Sequence, residues 1–414
     1  MPAVGTEPVP PLLSQTGAFS DTPRLVPSSG LIPYELNVAF WSDGAAKKRW
    51  IAVPKTKGSA GDKIEFEETG EWRFPNGTVF VKHFELATNE SHPELRRRLE
   101  TRLLVRDPIG GVYGVTYKWR ADNSDADLLS SNLSEDVLIQ TTSGTVRTQT
   151  WYYPSRQDCL TCHTRNAGGV LGVKTRQLNC DLRYDSGVTD NQIRAWNHAG
   201  LFDRKLSEAT LAKLPALAHT DDKTRTLEDR ARSYLDANCA HCHRPGGTVA
   251  SFDLRYDTPL PQQGLLEAPV LIDEGIDHAR AVAPNDIWRS IIYLRASALD
   301  SIKMPPLARN QVDEKGMALL REWIQSLPGP PVLEPPVISP RGTSYDKPIE
   351  VAIKHSDSGA VIHYTVDGSV PTSSDAVYEK PLQLTNPTVV RAKAFKHGFT
   401  KSITAQEVFI VGAH

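Results

Sequence analysis

The chain has 414 residues, of which 39% are hydrophobic and 23% are charged. This composition is that of an ordinary globular protein, which excludes wholesale disorder, and the length suggests two or three domains. Lysine and arginine number 47 against 49 aspartate and glutamate, so the formal net charge of −2 gives no reason to expect nucleic acid or an anionic lipid surface as the main partner. No apolar run reaches the roughly 18 residues of a transmembrane helix, so we expect no membrane span.

The start of the chain carries no visible targeting signal. Residues 1–7 have neither a basic stretch nor an apolar stretch of the kind found in a signal peptide. Either the protein is cytosolic or its leader is absent from this sequence, and the cysteines decide between these readings. Residues 1–33 are rich in Pro, Ser, Thr and Gly, and we expect them to form an extended N-terminal arm.

Residues 34–224 are expected to form a β-rich domain that carries the first cysteine motif. β-branched and aromatic residues are enriched in four runs, at 63–67, 77–86, 102–106 and 112–119. Turn signals separate such runs at 75–77, 110–111 and 143–144. The pattern predicts an antiparallel meander or sandwich.

Four of the five cysteines form two Cys-x-x-Cys pairs, and a histidine follows each pair directly. The motifs span residues 159–163 and 239–243. Cys-x-x-Cys-His is the covalent attachment signature of c-type haem, and the chain's composition gives only about 0.002 chance matches. The two thiols add across the haem vinyl groups, and the histidine then lies under the iron as its proximal ligand. We therefore expect two covalently bound haem c groups, held by Cys159, Cys162 and His163 and by Cys239, Cys242 and His243.

Other readings of the cysteines are weaker. The two pairs could bind one zinc ion together, but a zinc site does not explain the histidine after both pairs. Redox dithiols of the thioredoxin type would need a βαβ context, which is missing. Cys180 is left over, as a buried small hydrophobe or a free thiol. Because haem is attached to cysteine outside the bacterial cytosol, the motif implies a periplasmic or extracellular protein whose leader the sequence lacks.

Helical signals surround both motifs. Ser155 and Asp158 resemble a capping box, which predicts a short helix over 159–163, and a second helix is expected at 190–198. Residues 225–327 are expected to form a helical domain around the second haem, with one helix leading into Cys239 and a closing helix that starts after Asp313. The closing helix has an apolar stripe that includes Met317.

The C-terminal part of the chain is predicted to be an accessory domain. Residues 328–340 contain six prolines, which is typical of a stiff linker. Strand patterns return at 349–353, 361–366, 389–395 and 408–411. Short strands at this spacing predict a small immunoglobulin-like β-sandwich over 341–414. The predicted class is thus multidomain α+β, with an N-terminal antiparallel β domain, a helical domain and a C-terminal sandwich.

The second axial ligand of each iron is a separate question. Pro305 forces Met304 out of helical geometry, so a rigid loop can present the Met304 thioether to the iron of His243. Met317 is expected to be core filler. No methionine remains for the haem of His163, so its distal site is either open or filled by another ligand. The candidates are His83 and His198, followed by His92, His219 and Lys174.

Residues 31–327 resemble a family of bacterial secreted dihaem c-type cytochromes. The resemblance rests on the segments 31–37, 40–45, 153–155, 159–163, 175–179, 244–247 and 304–306. The second half of this stretch is also similar to a class I cytochrome c domain. The family implies covalent haem and electron transfer between a redox donor and an acceptor protein, without a defined substrate.

Residues 335–411 resemble the small β-sandwich at the C-terminus of chitobiases and β-hexosaminidases, on the segments 362–372 and 390–394. This resemblance implies an accessory module, with polysaccharide contact or a spacer role as alternatives. We expect an electron carrier without catalytic residues. The alternatives are a haem-dependent oxidoreductase of the peroxidase or oxygenase type, with an open iron at His163, and a glycan-associated binding protein.

Overall fold

The structure is a computed structural model that describes residues 1–54 and 63–412. Strand residues outnumber helix residues in this part of the chain, so the protein is mostly β and contains several sheets. It divides into two compact units, one of residues 1–259 and 297–319 and one of residues 260–296 and 320–414. None of the described helices is both long and apolar enough to cross a membrane.

The described strands are β1 (Phe19–Asp21), β2 (Val26–Pro27), β3 (Ile32–Pro33), β4 (Ala46–Ala52), β5 (Val79–Ala87), β6 (Arg96–Arg106), β7 (Val112–Trp119), β8 (Ala126–Leu128), β9 (Leu133–Gln140), β10 (Val146–Tyr153), β11 (Asp181–Arg183), β12 (Thr189–Asn191), β13 (Val337–Ser339), β14 (Ser344–Tyr345), β15 (Ile349–Lys354), β16 (Val361–Thr365), β17 (Ala376–Val377), β18 (Leu382–Leu384), β19 (Thr388–Phe395) and β20 (Ala405–Val411). The described α-helices are α1 (Arg156–Cys162), α2 (Thr175–Leu178), α3 (Gln192–His198), α4 (Glu208–Leu211), α5 (Leu227–Asn238), α6 (Ile291–Ser297) and α7 (Glu314–Ser326).

The first unit is built on a six-stranded antiparallel sheet with the order β3-β4-β5-β6-β7-β8. Successive side chains of a strand point to opposite faces, so each face has its own core. One face carries a cluster with Trp50, Val81 and Leu103. The other carries Ile51 and Phe80, which join a second buried cluster. The runs at 77–86, 102–106 and 112–119 are confirmed as the strands β5, β6 and β7.

Two sequence predictions about this unit differ from the structure. Residues 1–33 pack on the sheet instead of extending away from it, since Leu13 and Phe19 are buried in the first of these clusters. Tyr117 also donates a hydrogen bond to the Pro10 carbonyl at 2.8 Å. The run at 63–67 forms isolated bridges at Ile64 and Glu65 in place of a strand. The first difference arises because a proline-rich composition does not reveal a few buried apolar residues. The second arises because isolated bridges produce no periodic sequence pattern.

The helices begin where the capping signals predict. Ser155 caps α1, Asn191 caps α3 and Thr226 caps α5, each through a side chain that accepts a backbone N–H. Segment 225–327 contains α5, α6 and α7, but long irregular stretches separate them, and the two compact units divide this segment. A separate helical domain is therefore not visible in the described part of the chain.

The second unit contains the C-terminal β domain. It has a three-stranded sheet, β13-β15-β18, and a five-stranded sheet, β14-β20-β19-β16-β17. Val351, Val390 and Phe409 are fully buried in its core. All four predicted strand regions are confirmed. The proline-rich segment joins this domain at its end, because β13 pairs with β15 and Leu333 is 2% exposed with its N–H bonded to the Thr400 carbonyl.

Candidate functional site

The first Cys-x-x-Cys-His motif lies on α1, in the first unit. Its start is fixed by a complete capping box, in which Ser155 Oγ accepts from the Asp158 N–H at 3.2 Å and Asp158 Oδ2 accepts from the Ser155 N–H at 2.8 Å. The helix packs on β7 at Gly114, where an added Cβ would lie 2.6 Å from Cys159 Sγ. The glycine therefore makes room for the first cysteine of the motif.

His163 ends this helix with its imidazole oriented. Its N–H donates to the Cys159 carbonyl at 2.9 Å, and its Nδ1 lies 2.9 Å from the Gly169 carbonyl oxygen. A carbonyl can only accept, so Nδ1 carries the proton, and Nε2 is then the atom with a lone pair for a metal. Gly168 and Gly169 both adopt left-handed backbone, with φ of 74° and 75°, where a side chain would be strained.

The ionisable groups of this motif are held in their neutral forms. Burial lowers the pKa of His163 to about 4, and the charges of Lys82 and Arg102 act in the same direction. Burial raises the pKa of Cys162 to about 11. Reactive redox dithiols have lowered thiol pKa values, so the shift at Cys162 does not favour the thioredoxin-like alternative. A neutral imidazole is the form that binds a metal.

The second motif follows α5 without a break. The Cys239 N–H donates to the Leu235 carbonyl at 2.9 Å, and the His243 N–H donates to the Cys239 carbonyl at 2.9 Å. The His243 ring stacks on Phe252, with centroids 4.7 Å apart and an interplanar angle of 11°. Burial raises the pKa of Cys239 to about 12. A rigid helix and an aromatic ring thus position this pentapeptide.

The loops that follow the two motifs are in contact. Asn166 donates through Nδ2 to the Pro245 carbonyl at 3.2 Å, and Arg244 donates through Nη1 to the Asn166 carbonyl at 3.2 Å. The thiol of Cys162 also lies near Cys242, whose charge adds to burial in raising the Cys162 pKa. Sequence reasoning did not predict that the motifs lie together, because 79 residues separate Asn166 from Pro245.

Buried ion pairs join the segments that carry the motifs. Lys174 Nζ lies 2.8 Å from Asp236 Oδ1, and Arg244 Nη2 donates to Glu71 Oε1 at 2.8 Å. Burial alone would lower the pKa of Lys174, but the carboxylates of Asp236 and Glu71 raise it above its ordinary value. Lys174 therefore forms ion pairs in the structure. From the sequence it was among the candidate distal ligands of the first haem.

A row of basic side chains lies on the sheet face under α1. Arg49, Lys82 and Arg102 are paired in register on β4, β5 and β6, and side chains of this face point towards the helix. Arg49 Nη2 and Arg102 Nε are buried without a hydrogen-bond partner among residues 1–54 and 63–412. Glu100 compensates part of this charge through Arg102. Sequence reasoning missed the row because its three members lie on different strands and come together only through the register of the sheet.

His83 lies on the opposite face of the sheet from the first motif. It is fully buried, with Nδ1 2.8 Å from Thr101 Oγ1 and Nε2 3.2 Å from Glu85 Oε1. Its ring also meets Trp119 edge to face at 5.5 Å. The prediction of His83 as a distal ligand does not agree with this position, since both ring nitrogens already have partners and the sheet separates the ring from Cys159.

The other candidate histidines, His92, His198 and His219, are all exposed. His198 is exposed at the end of α3, on an element that packs through Ile193 and Trp196 instead. Met317 is 4% exposed in α7, in agreement with its predicted place in the core. Cys180 accepts a hydrogen bond from Gln192 Nε2 at 2.9 Å.

Met304 is half-buried in the segment 297–319. This segment is tied to the second motif through Trp41, whose Nε1 donates to the Gln311 carbonyl at 3.0 Å and whose N–H donates to Asn238 Oδ1 at 2.8 Å. Asn238 directly precedes Cys239. The loop of Met304 and the second motif thus share one anchor, while coordination by Met304 remains a prediction.

A cavity of about 550 Å³ is open beside His163. Its lining includes Leu160 and Gly168 next to the motif and the charged side chains of Arg106 and Asp107. Across the described part of the chain, no three His, Cys, Asp or Glu side chains are grouped so as to hold a metal ion by themselves. The four cysteines of the two motifs are thus not arranged as a single zinc site.

The comparisons with known proteins concern the C-terminal unit. Residues 340–406 match the family of the chitobiase/beta-hexosaminidase C-terminal domain. No curated protein matches the chain. The match agrees with the predicted resemblance and with the two-sheet domain seen in the structure.

Proposed function

We propose that the protein is a secreted dihaem c-type cytochrome that carries electrons between two redox partner proteins. The observation that carries this proposal is the geometry of His163 within its motif. Its Nδ1 proton is directed at the Gly169 carbonyl, so the Nε2 lone pair is left for an iron beside Cys159 and Cys162. This is the orientation that a proximal haem ligand needs.

The residues around the first motif fit haem in two further respects. All five cysteines are free thiols, so both pairs could form thioethers. The addition of S–H across a vinyl group needs no oxidant, which suits thiols held in the protonated form. Arg49 and Arg102 on the sheet face under α1 carry more positive charge than Glu100 compensates, and the two carboxylates of a haem would neutralise it. When bound, haem would supply reversible one-electron transfer at iron.

The second motif is proposed to belong to a helical cytochrome c-like substructure. Helix α5 runs directly into Cys239, and α7 begins against it, since an added Cβ at Gly316 would overlap the ring of Tyr234. His243 would be the proximal ligand and Met304 the distal one. The contact of the two motif loops would keep the haems close enough to exchange electrons within one unit.

A haem enzyme is the second candidate function. The cavity beside His163 would give a small oxidant or substrate access to this motif. In either case we propose a periplasmic or extracellular location. The C-terminal domain, through its family match, would add contact with a polysaccharide or act as a spacer.

Haem counting in cysteine variants tests the proposal. The full chain is produced with a signal peptide in cells that mature c-type cytochromes, and haem is quantified by the pyridine haemochrome assay. We expect two haems per chain, one in Cys159→Ser/Cys162→Ser and one in Cys239→Ser/Cys242→Ser. Cys180→Ser is the matched control and should retain two. Colourless protein, or variants that retain two covalent haems, would contradict the proposal.

A further inference from the structure

His241, the residue directly before Cys242 in the second motif, has an unusual environment. Its side chain is 7% exposed, and its ring meets Phe40 edge to face with centroids 5.4 Å apart. No hydrogen bond of either ring nitrogen lies within residues 1–54 and 63–412, and neither nitrogen is among the fully buried polar atoms without a partner in these residues. Both nitrogens are therefore open to a ligand that the described polypeptide does not provide.

The position of His241 directs it to the first motif. The loops after the motifs are joined at Asn166 and Pro245, only a few residues from His163 and His241. Phe40, which packs on His241, also lies 5.7 Å from Lys82 Nζ, and Lys82 belongs to the sheet face under α1. His241 is therefore beside the space between this sheet face and the first cysteine pair.

The electrostatics agree with this placement. His163 is the ionisable group with the largest electrostatic effect on His241, ahead of Arg244 and His243. The imidazole of His163 is thus a close neighbour of His241, although it belongs to the other motif.

We propose that His241 is the distal ligand of the first haem, opposite His163. This inference rests on the proposed function, since it requires haem at the first motif. It would make the first iron six-coordinate with two imidazoles, which closes the site to small molecules and favours electron transfer over the enzyme alternative. It would also connect the two haems by a short path, because His241 is bonded directly to Cys242.

The other nitrogen donors are less suitable. His83 lies behind the sheet with both nitrogens bonded, His198 is exposed, and Lys174 is paired with Asp236. Lys82 is the remaining competitor on the correct face. Its Nζ lies over Phe84 at 5.0 Å and over Phe40, and burial lowers the pKa of this amine well below its ordinary value, so a Lys82→Met variant is needed to separate it from His241.

The test compares His241→Ala with the matched control His198→Ala in the holoprotein, by optical and electron paramagnetic resonance spectra and carbon monoxide binding. We expect both haems of the unchanged protein to be low-spin and neither to bind carbon monoxide. In His241→Ala one of the two haems should become high-spin and bind it, added imidazole should restore the low-spin state, and His198→Ala should show no change. The haem count should stay at two.

Several results would overturn the inference. One is a high-spin haem in the unchanged protein. Another is a low-spin spectrum of both haems in His241→Ala. The third is a high-spin haem that forms in Lys82→Met and not in His241→Ala. If His241→Ala fails to mature, near-infrared magnetic circular dichroism of the unchanged protein identifies the axial ligands of the first iron. We expect a bis-histidine signature, and a histidine–amine signature would contradict the inference. A haem count other than two in the unchanged protein is a different result, because it removes the proposed function itself.

Discussion

The two Cys-x-x-Cys-His motifs have the same spacing but different surroundings. The first is on a short capped helix that lies over a sheet face with a row of basic side chains. The second follows a twelve-residue helix, and its histidine stacks on Phe252. Under the proposed function, the pentapeptide would determine the covalent chemistry, while the neighbouring elements would determine the charge around each haem and its distal ligand. We therefore expect two haems with different potentials, and the following variants test how independent the two sites are.

The largest effect is expected where the two motifs share an interaction. Lys174→Met leaves the buried carboxylate of Asp236 without its partner, which should cost about 3–5 kcal/mol of unfolding free energy. Arg73→Gln is the control, since its pair with Glu65 is exposed and should contribute about 0–1 kcal/mol. Chemical denaturation measures both. A loss at Lys174 no larger than that at Arg73 would mean that the ion pair does not hold the segments together.

Gly114→Val should act on the first motif alone. The added side chain would meet Cys159 Sγ, so we expect overpacking to cost about 1–3 kcal/mol and to lower haem attachment at this motif. Gly114→Ala should give a smaller loss of the same kind. Haem staining combined with tryptic mapping distinguishes the motifs. Full occupancy of Cys159 in the valine variant would show that α1 does not pack here as described.

Met304→Ala should act on the second motif alone. Loss of the thioether would lower the potential of one haem and remove the absorption band of methionine-ligated iron, because methionine ligation raises haem potentials. A redox titration followed at two wavelengths measures both haems. An unchanged band would show that Met304 is not a ligand.

The capping residues offer a milder comparison. Ser155→Ala and Thr226→Ala each remove one side-chain cap, from α1 and α5 respectively, and each should cost about 1 kcal/mol. We expect the first to broaden or shift only the signals of the first haem and the second only those of the other. If both variants changed both haems equally, the two motifs would respond as one structural element.

The basic residues on the sheet face under α1 should affect how the free energy of unfolding depends on pH. Burial lowers the pKa of Lys47 to about 7 from its ordinary 10.5, with Arg49 and Arg102 acting in the same direction. The unfolded chain binds this proton up to its ordinary pKa, so unfolding takes up a proton between these values. The free energy of unfolding should therefore rise with pH from about 7 to 10.5 through this group. Lys47→Met should reduce the slope, whereas exposed Lys48→Met should leave it unchanged.

Local features could be predicted from the sequence, and contacts between distant segments could not. The helix starts at Ser155 and after Asp313 and the strands of the C-terminal domain are governed by nearby residues, and they are confirmed. The alternation in β5 places His83 and Val81 on one face of the sheet, but alternation does not say which element covers that face. The N-terminal segment covers it, and α1 lies on the other side. His241 was overlooked because it lies inside the motif as an unassigned position.

The mass of the intact, matured chain tests the central claim most directly. Two haems held by thioethers remain attached under denaturing conditions, so the mass should exceed that of the polypeptide by two haem groups, with both cysteine pairs modified in the peptide map. A denatured mass equal to that of the bare polypeptide would contradict the account.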